Sequence, residues 1–414
     1  MMWRGVLLGI GVLFLAACET TKVAPIDAGV TPEMDTDEAG LWYQVDKAEE
    51  QLKTAAVVVR DEALNDYVRG VACRVTGPDY CDDMRVYIIE APYLNASMAP
   101  NGLMQVWTGL LLRAENEAQL AFVLGHEFIH YKERHSLEQF RSYKNAANMS
   151  MVLSLGAAVG RVPEAAQIGS IVLTGRLYGF GRDKEREADE GGFRAAVDAG
   201  YSPDQGAALW DYVIDEVEAS SSRRRQRQVA RASIFSTHPL TQERVTTLRD
   251  FARAQGEGGY LGQAEHRAAI SPYLNEWLND DIARRDLGAH LYLINHLLAA
   301  GGDEGVLYFR QGEAYRVRRE EGDQALALAA YQRATTYADA PPAAWREIGN
   351  VQRRQGDTIA AGAAYSTYLV QAPDATDRAL VESYLKRWSM PIPERTVPAT
   401  FPALSEEEAD DDAS

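Results

Sequence analysis

One stretch restricts the fold more than any other: Glu117-Ala118-Gln119-Leu120-Ala121-Phe122-Val123-Leu124-Gly125-His126-Glu127-Phe128-Ile129-His130. Apolar residues at 120, 123, 124 and 128 keep helical spacing, which predicts an amphipathic helix carrying His-Glu-x-x-His. Histidines at i and i+4 stand one above the other on a helix face, so His126 and His130 can reach one zinc ion together. Glu127 lies between them, where a carboxylate can serve as general base toward a water. Composition alone yields this pattern about 0.02 times per chain, which makes two unrelated helix histidines the weaker alternative.

Zinc needs a third protein ligand. A glycine three residues after His130 and a histidine six after it would complete one known pattern, but Glu133 and Ser136 stand there. Downstream runs Asp183-Lys184-Glu185-Arg186-Glu187-Ala188-Asp189, with Glu185 and Asp189 four apart on one helical face. Glu185 can reach the metal while Asp189, one turn on, can accept a hydrogen bond from a ligating histidine and fix its tautomer. The competing reading of so charged a run is a solvated helix face.

Taken together, these segments resemble the HtpX-like, CAAX-protease-type family of zinc metallopeptidases, and within it the BepA-like periplasmic branch. The likeness rests on Asn95 to Leu110 (a strand-and-turn segment), His126 to His130 followed by Arg134-His135, Glu185-Arg186-Glu187-Ala188-Asp189, and Thr237-His238-Pro239 followed by Arg244. It covers about residues 41 to 250 in family order. The resemblance implies a gluzincin-type endopeptidase with one zinc per chain, held by His126, His130 and Glu185, and with Asp189 behind them. It further implies that His238 approaches the metal or the transition-state oxyanion, closing the open position at rest, and that Arg244 positions substrate or buttresses His238. His135 is expected to pack the end of the zinc helix. Two departures stand out: Gly181-Arg182 where the family usually has Ser-Arg, and Ile129 where a small residue is common.

The chain opens with Arg4 and an apolar run from Val6 to Ala17, too short to span a ~30 Å hydrocarbon core and suited to a signal peptide. Its end, Leu15-Ala16-Ala17-Cys18, resembles a bacterial lipobox, so Cys18 is the expected lipidation site and residues 1–18 the signal. Residues 19–40 read as a flexible tether. Glu19 favours outer-membrane over inner-membrane placement, on the periplasmic side. In that oxidising compartment Cys73 and Cys81, separated by Gly77-Pro78-Asp79, are expected to form a local disulfide, a metal site being the alternative. The net charge of −18 argues against a nucleic-acid partner, although six of those acids sit in Ser405–Ser414.

Two stretches are candidates for access control. Residues 148 to 180 are nearly uncharged and read as a buried helical pair, or less simply as a membrane-dipping element. Arg223 to Arg231 carries five arginines and reads as a solvated loop or a lid just before His238. Near the carboxyl end, Trp345, Ile348, Gly349, Ala361, Tyr365 and Pro373 fit the tetratricopeptide pattern, with Gly322 and Tyr331 34 residues before Gly356 and Tyr365. Gly312 matches Gly349 at 37, implying three extra residues in the first hairpin.

The fold expected is α+β and mainly helical. A metallopeptidase domain with a small sheet spans 41–255, a helical connector and tetratricopeptide-like repeats span 256–390, and an acidic tail spans 391–414. The function expected is zinc-dependent cleavage of unfolded or misassembled envelope polypeptides by a lipid-anchored protein, with the repeats available to an envelope-assembly partner. The alternative is a chaperone or assembly adaptor acting through the repeats, with a latched or vestigial zinc site. Chelator-sensitive fragmentation of an unfolded protein separates the two.

Overall fold

The computed structural model describes residues 22–145, 180–220, 227, 234, 238 and 242–395. The expectations for Cys18 and its signal, for 148–179, for most of Arg223–Arg231, for Thr237 and Pro239, and for the acidic end beyond residue 395 lie outside the described residues.

Residues 22–36 lie along the domain surface and lead into α1 (Asp37–Leu52), capped by the Thr36 hydroxyl accepting from Ala39 N. Reading 19–40 as a free tether is therefore corrected for residues 22–40. Ile26 is buried in the main core, its N–H donates to Lys132 O at 2.8 Å, and Tyr80 OH donates to Ile26 O at 2.9 Å. Arg134 bridges back to Glu38. Val23 N–H donates to Glu138 at 2.7 Å and Gly29 N–H to Asp83 at 2.8 Å, so main-chain hydrogen bonds join the one buried apolar side chain in holding this polar segment down.

The chain then alternates short strands and helices: β1 (Val58–Val59), α2 (Glu62–Thr76), α3 (Pro78–Cys81), β2 (Arg85–Ile89), β3 (Ala96–Met98), β4 (Leu103–Trp107) and α4 (Thr108–Arg113). Cys73 on α2 and Cys81 on α3 are joined by a disulfide. The sheet order is β1-β2-β4-β3, with β2 and β4 parallel and the outer pairs antiparallel. Within the strand-and-turn segment Asn95 to Leu110, β4 is interior, with partners on both sides. The edge beside the next helix is β3. Its three residues carry no alternation long enough to register as a strand in sequence.

Next come α5 (Glu117–Lys132) and α6 (His135–Asn145), then α7 (Arg182–Asp198), α8 (Gln205–Ala219) and α9 (Gln242–Gln255). Asn116 caps α5, its side chain accepting from Gln119 N at 2.9 Å. The helix is not half-solvated as its periodicity suggests: every residue from Glu117 to Tyr131 is buried. Its polar positions face other protein groups rather than water.

Helices α5 and α7 approach each other closely. A Cβ on Gly192 would lie 2.5 Å from His126 N, and one on Gly125 2.9 Å from Gly192 O. Ile129, the bulky departure, is accommodated by Gly191, where a Cβ would lie 2.8 Å from Ile129 Cδ1. Gly181 stands at the N-cap of α7 and offers no side-chain hydrogen bond there, a loss of a few tenths of a kcal/mol.

Helices α10 (Gln263–Ile270), α11 (Leu274–Ala283) and α12 (Leu287–Ala300) belong to the same core, through Ile270, Trp277, Leu278, Leu293 and Ile294. A boundary at 255/256 thus does not divide two cores. A buried charge network fastens this seam: Arg113 lies 2.7 Å from Glu216 and 2.8 Å from Asp281, and His290 Nδ1 lies 2.8 Å from Asp281.

Beyond it stand two helical hairpins and a closing helix: α13 (Glu304–Arg318) with α14 (Asp323–Ala334), α15 (Ala343–Gln355) with α16 (Thr358–Gln371), and α17 (Arg378–Arg387). In each hairpin a tyrosine of the second helix covers a glycine of the first, Tyr331 over Gly312 and Tyr365 over Gly349. Arg319 to Glu321 lengthen the first turn ahead of Gly322, which has positive φ, as does Gly356 after α15.

Candidate metal centre

His126 and His130 project from α5 and Glu185 from the first turn of α7, while His238 arrives from the chain between α8 and α9. One ligand atom of each lies within 4.8 Å of the others, and all four residues are buried. His126 Nε2 is 3.1 Å from His130 Nε2 and 3.2 Å from His238 Nδ1, and His238 Nδ1 is 2.8 Å from Glu185 Oε1. Glu185 comes within 3.7 Å of both zinc-helix histidines.

The donors fit a metal ion. His126 Nδ1 lies 3.0 Å from Asp189 Oδ1, so that nitrogen carries the proton and the Nε2 lone pair points inward. Lone pairs of two imidazoles and a carboxylate converging in a buried space repel one another unless a cation lies between them. Tetrahedral zinc at ~2.0–2.1 Å from each ligand sets ligand atoms about 3.3 Å apart, close to the separations above. Three nitrogens and one oxygen suit zinc.

The surrounding groups set the charges. Asp189 accepts two bonds from Arg244 of α9, both 2.7 Å. Burial opposes its ionisation, but the hydrogen bonds from His126 and Arg244 prevail and hold the carboxyl at about 2. Arg244 also lies 3.0 Å from Glu185 Oε2. The guanidinium of Arg244, expected to position substrate or buttress His238, thus pairs with one ligand carboxylate, Glu185, and with Asp189 behind His126. Glu185 is likewise kept low, His238, His126 and Arg244 outweighing burial. In Glu127 the balance is reversed, and burial pushes the carboxyl above its usual range despite His238 and His126. His238 goes up, because Glu127 and Glu185 outweigh its burial.

His238 turns Nδ1 to the cluster and Nε2 to Glu127, 3.5 Å from Oε1. Its N–H donates to Ile234 O at 2.8 Å, and Ile234 N–H donates to Leu94 O at 2.9 Å, just before β3. The Met98 main chain lies beside the Glu127 carboxylate and favours its charged form. Phe180 stacks on the His130 ring at 4.1 Å and 14°. Neither of these last two is singled out in the sequence reading. A main-chain group has no side-chain signal, and Phe180 is marked only by its place five residues before Glu185. His135 sits behind His130, the two Nδ1 atoms 2.8 Å apart. Burial, with Lys184, lowers it to about 4.

Comparison with known proteins agrees with this geometry. Residues 58–252 match the profile of peptidase family M48. The chain is 23% identical over 320 residues to the beta-barrel assembly-enhancing protease of Escherichia coli (strain K12), covering 69% of this chain and 63% of that protein. It is 30% identical over 189 residues to the mitochondrial metalloendopeptidase OMA1 of Schizosaccharomyces pombe, covering 45% of this chain and 52% of that protein. It thus spans less than two thirds of the curated relatives it matches. The buried His-His-Glu-His cluster falls wholly inside the matched region, and the chain carries a peptidase family M48 domain, a zinc metallopeptidase domain, over residues 58–252.

Proposed function

We propose that this chain is a zinc metalloendopeptidase in which His126, His130 and Glu185 hold the ion and Glu127 moves the proton. One observation carries the reading: Glu127 Oε1 is buried beside the donor cluster and has no hydrogen-bond partner among the described residues. An orphaned carboxylate oxygen costs stability, on the order of 1–3 kcal/mol, and is retained where it has a task. Zinc, when bound, polarises a scissile carbonyl and acidifies a water. Glu127 takes the proton of the attacking water and delivers it to the leaving amine nitrogen. Its raised pKa beside the lowered one of Glu185 divides the labour between a proton carrier and a permanent anion. Asp189, held by Arg244, keeps the His126 proton on Nδ1.

His238 has two positions in this scheme. With Nδ1 among the donors it fills the place a substrate carbonyl needs, a latched arrangement. Swung out, it can donate to the oxyanion that forms on the carbonyl. Extended polypeptide aligns along β3, where Ser97 pairs with β4 and the Ala96 main chain faces the other way. Backbone pairing reads few side chains, so unfolded chains are the substrate class.

The name of the Escherichia coli relative supports misassembled envelope proteins as the physiological targets. The Leu15–Cys18 lipobox supports anchoring to the envelope on its periplasmic side, at the outer membrane. No helix among the described residues is long and apolar enough to cross a membrane. The paired hairpins α13–α16 support a tetratricopeptide-like surface for polypeptide or an assembly partner. The adaptor reading keeps one observation in its favour, the place of His238 inside the donor cluster. The deciding experiment incubates the purified chain with a permanently unfolded protein. Fragments that vanish with chelator and return with zinc are expected; fragments indifferent to chelator, or none with zinc, overturn the reading.

A further inference from the structure

The two histidines of α5 are backed in unlike ways. His126 has a carboxylate behind it. Behind His130 stands another histidine. His130 Nε2 faces the donor cluster, 3.1 Å from His126 Nε2 and 3.7 Å from Glu185 Oε1. If that nitrogen offers its lone pair to a metal, the ring proton resides on Nδ1 and must be donated. The atom it meets is His135 Nδ1, at 2.8 Å with both residues buried. Only one of the two facing nitrogens can carry a proton, so His135 accepts there and holds its own proton on Nε2. That nitrogen points at Glu187 Oε2, 3.3 Å away. Glu187 is half-exposed, and Lys22 of the surface segment pairs with it at 3.4 Å.

We infer that His135 is a positioning residue for the metal centre: by accepting from His130 Nδ1 and donating to Glu187, it fixes the tautomer and ring angle of His130. The steric evidence agrees with the polar one. The His130 ring is held on its other side by the stacked Phe180, and the His135 ring meets Phe180 at 5.7 Å. The ring therefore has a face contact that sets its plane and a hydrogen bond that sets its rotation. Packing alone, the role expected from sequence, would need no nitrogen at 135.

The inference rests on His126, His130 and Glu185 binding zinc, and its tests separate the two. Zinc affinity is measured by chelator competition, alongside the absorption spectrum of the cobalt-loaded protein. His135→Leu is expected to weaken zinc about 10–100-fold and to alter the cobalt bands. His135→Asn, whose Oδ1 can take the place of the accepting nitrogen, should stay within a few-fold of the parent. Equal loss in both variants, or no loss in His135→Leu, overturns the relay; a parent that binds no zinc overturns the centre itself. Should the leucine variant fail to fold, nitrogen NMR of the zinc-loaded parent still decides. A protonated Nε2 and a bare Nδ1 on His135 are expected, and the reverse tautomer contradicts the inference.

Discussion

Glycine closes two kinds of helix pair in this molecule, with different results. Between α5 and α7 the glycines bring backbone against backbone, Gly192 meeting His126 N and Gly125 meeting Gly192 O. In the carboxyl-terminal hairpins a glycine of the first helix meets a ring of the second, Gly312 under Tyr331 and Gly349 under Tyr365. The first arrangement leaves no side chain between the helices where Gly125 faces Gly192, which lets donors from both, His126 and His130 with Glu185, converge on one point. The second fills the gap with a large apolar surface and makes a core. Close approach serves chemistry in one region and burial in the other.

Substitutions can break that contrast. Gly192→Ala should have the largest effect, because the methyl meets backbone that cannot step aside. A loss of about 3 kcal/mol, the upper end of ordinary overpacking, is expected in thermal or urea unfolding. Zinc affinity should drop at least tenfold with it. Gly349→Ala should cost about 1–2 kcal/mol, since a tyrosine ring can shift, and should leave zinc affinity unchanged. Equal loss of zinc in both variants would erase the distinction.

A smaller effect tests the ground between the two regions. His266 of α10 donates from Nε2 to Leu111 O and accepts at Nδ1 from Tyr67 OH, a neutral tautomer. Burial lowers its pKa to about 4, against an unfolded value near 6.5. Its contribution is therefore intact above pH 6.5 and falls away as the pH drops toward 4, because the unfolded chain takes the proton first. A loss of about 1 kcal/mol by pH 5.5 is expected from this group. His266→Gln should flatten that part of the stability curve; an unchanged slope would contradict the assignment.

The centre was more legible in sequence than its setting. His126, Glu127 and His130 announce themselves by local spacing, and Glu185 with Asp189 by a second helical interval. His238 is reached only through the family resemblance, since nothing local distinguishes it. The partners of Arg244 are hidden in sequence for a related reason: a guanidinium can serve substrate, a histidine or a carboxylate, and only the fold shows Asp189 and Glu185 within its reach. β3, with three residues, is too short to carry a period. The docking of residues 22–36 combines one buried side chain, Ile26, with main-chain hydrogen bonds to Glu138 and Asp83, none of which a stretch rich in polar and turn-forming residues announces. The carboxyl-terminal helical hairpins, by contrast, betray even the longer turn of the first, because Gly312 and Tyr331 stand three residues further apart than Gly349 and Tyr365.

Glu127→Gln probes the proposed chemistry most directly, since it keeps the shape of the side chain and removes only its capacity to take a proton. Zinc binding, measured by metal analysis after dialysis, should remain at one ion per chain. Cleavage of an unfolded protein should fall about 10²–10⁴-fold. A variant that keeps its zinc and cleaves at the parental rate would contradict the role of Glu127 and, with it, the proposed mechanism.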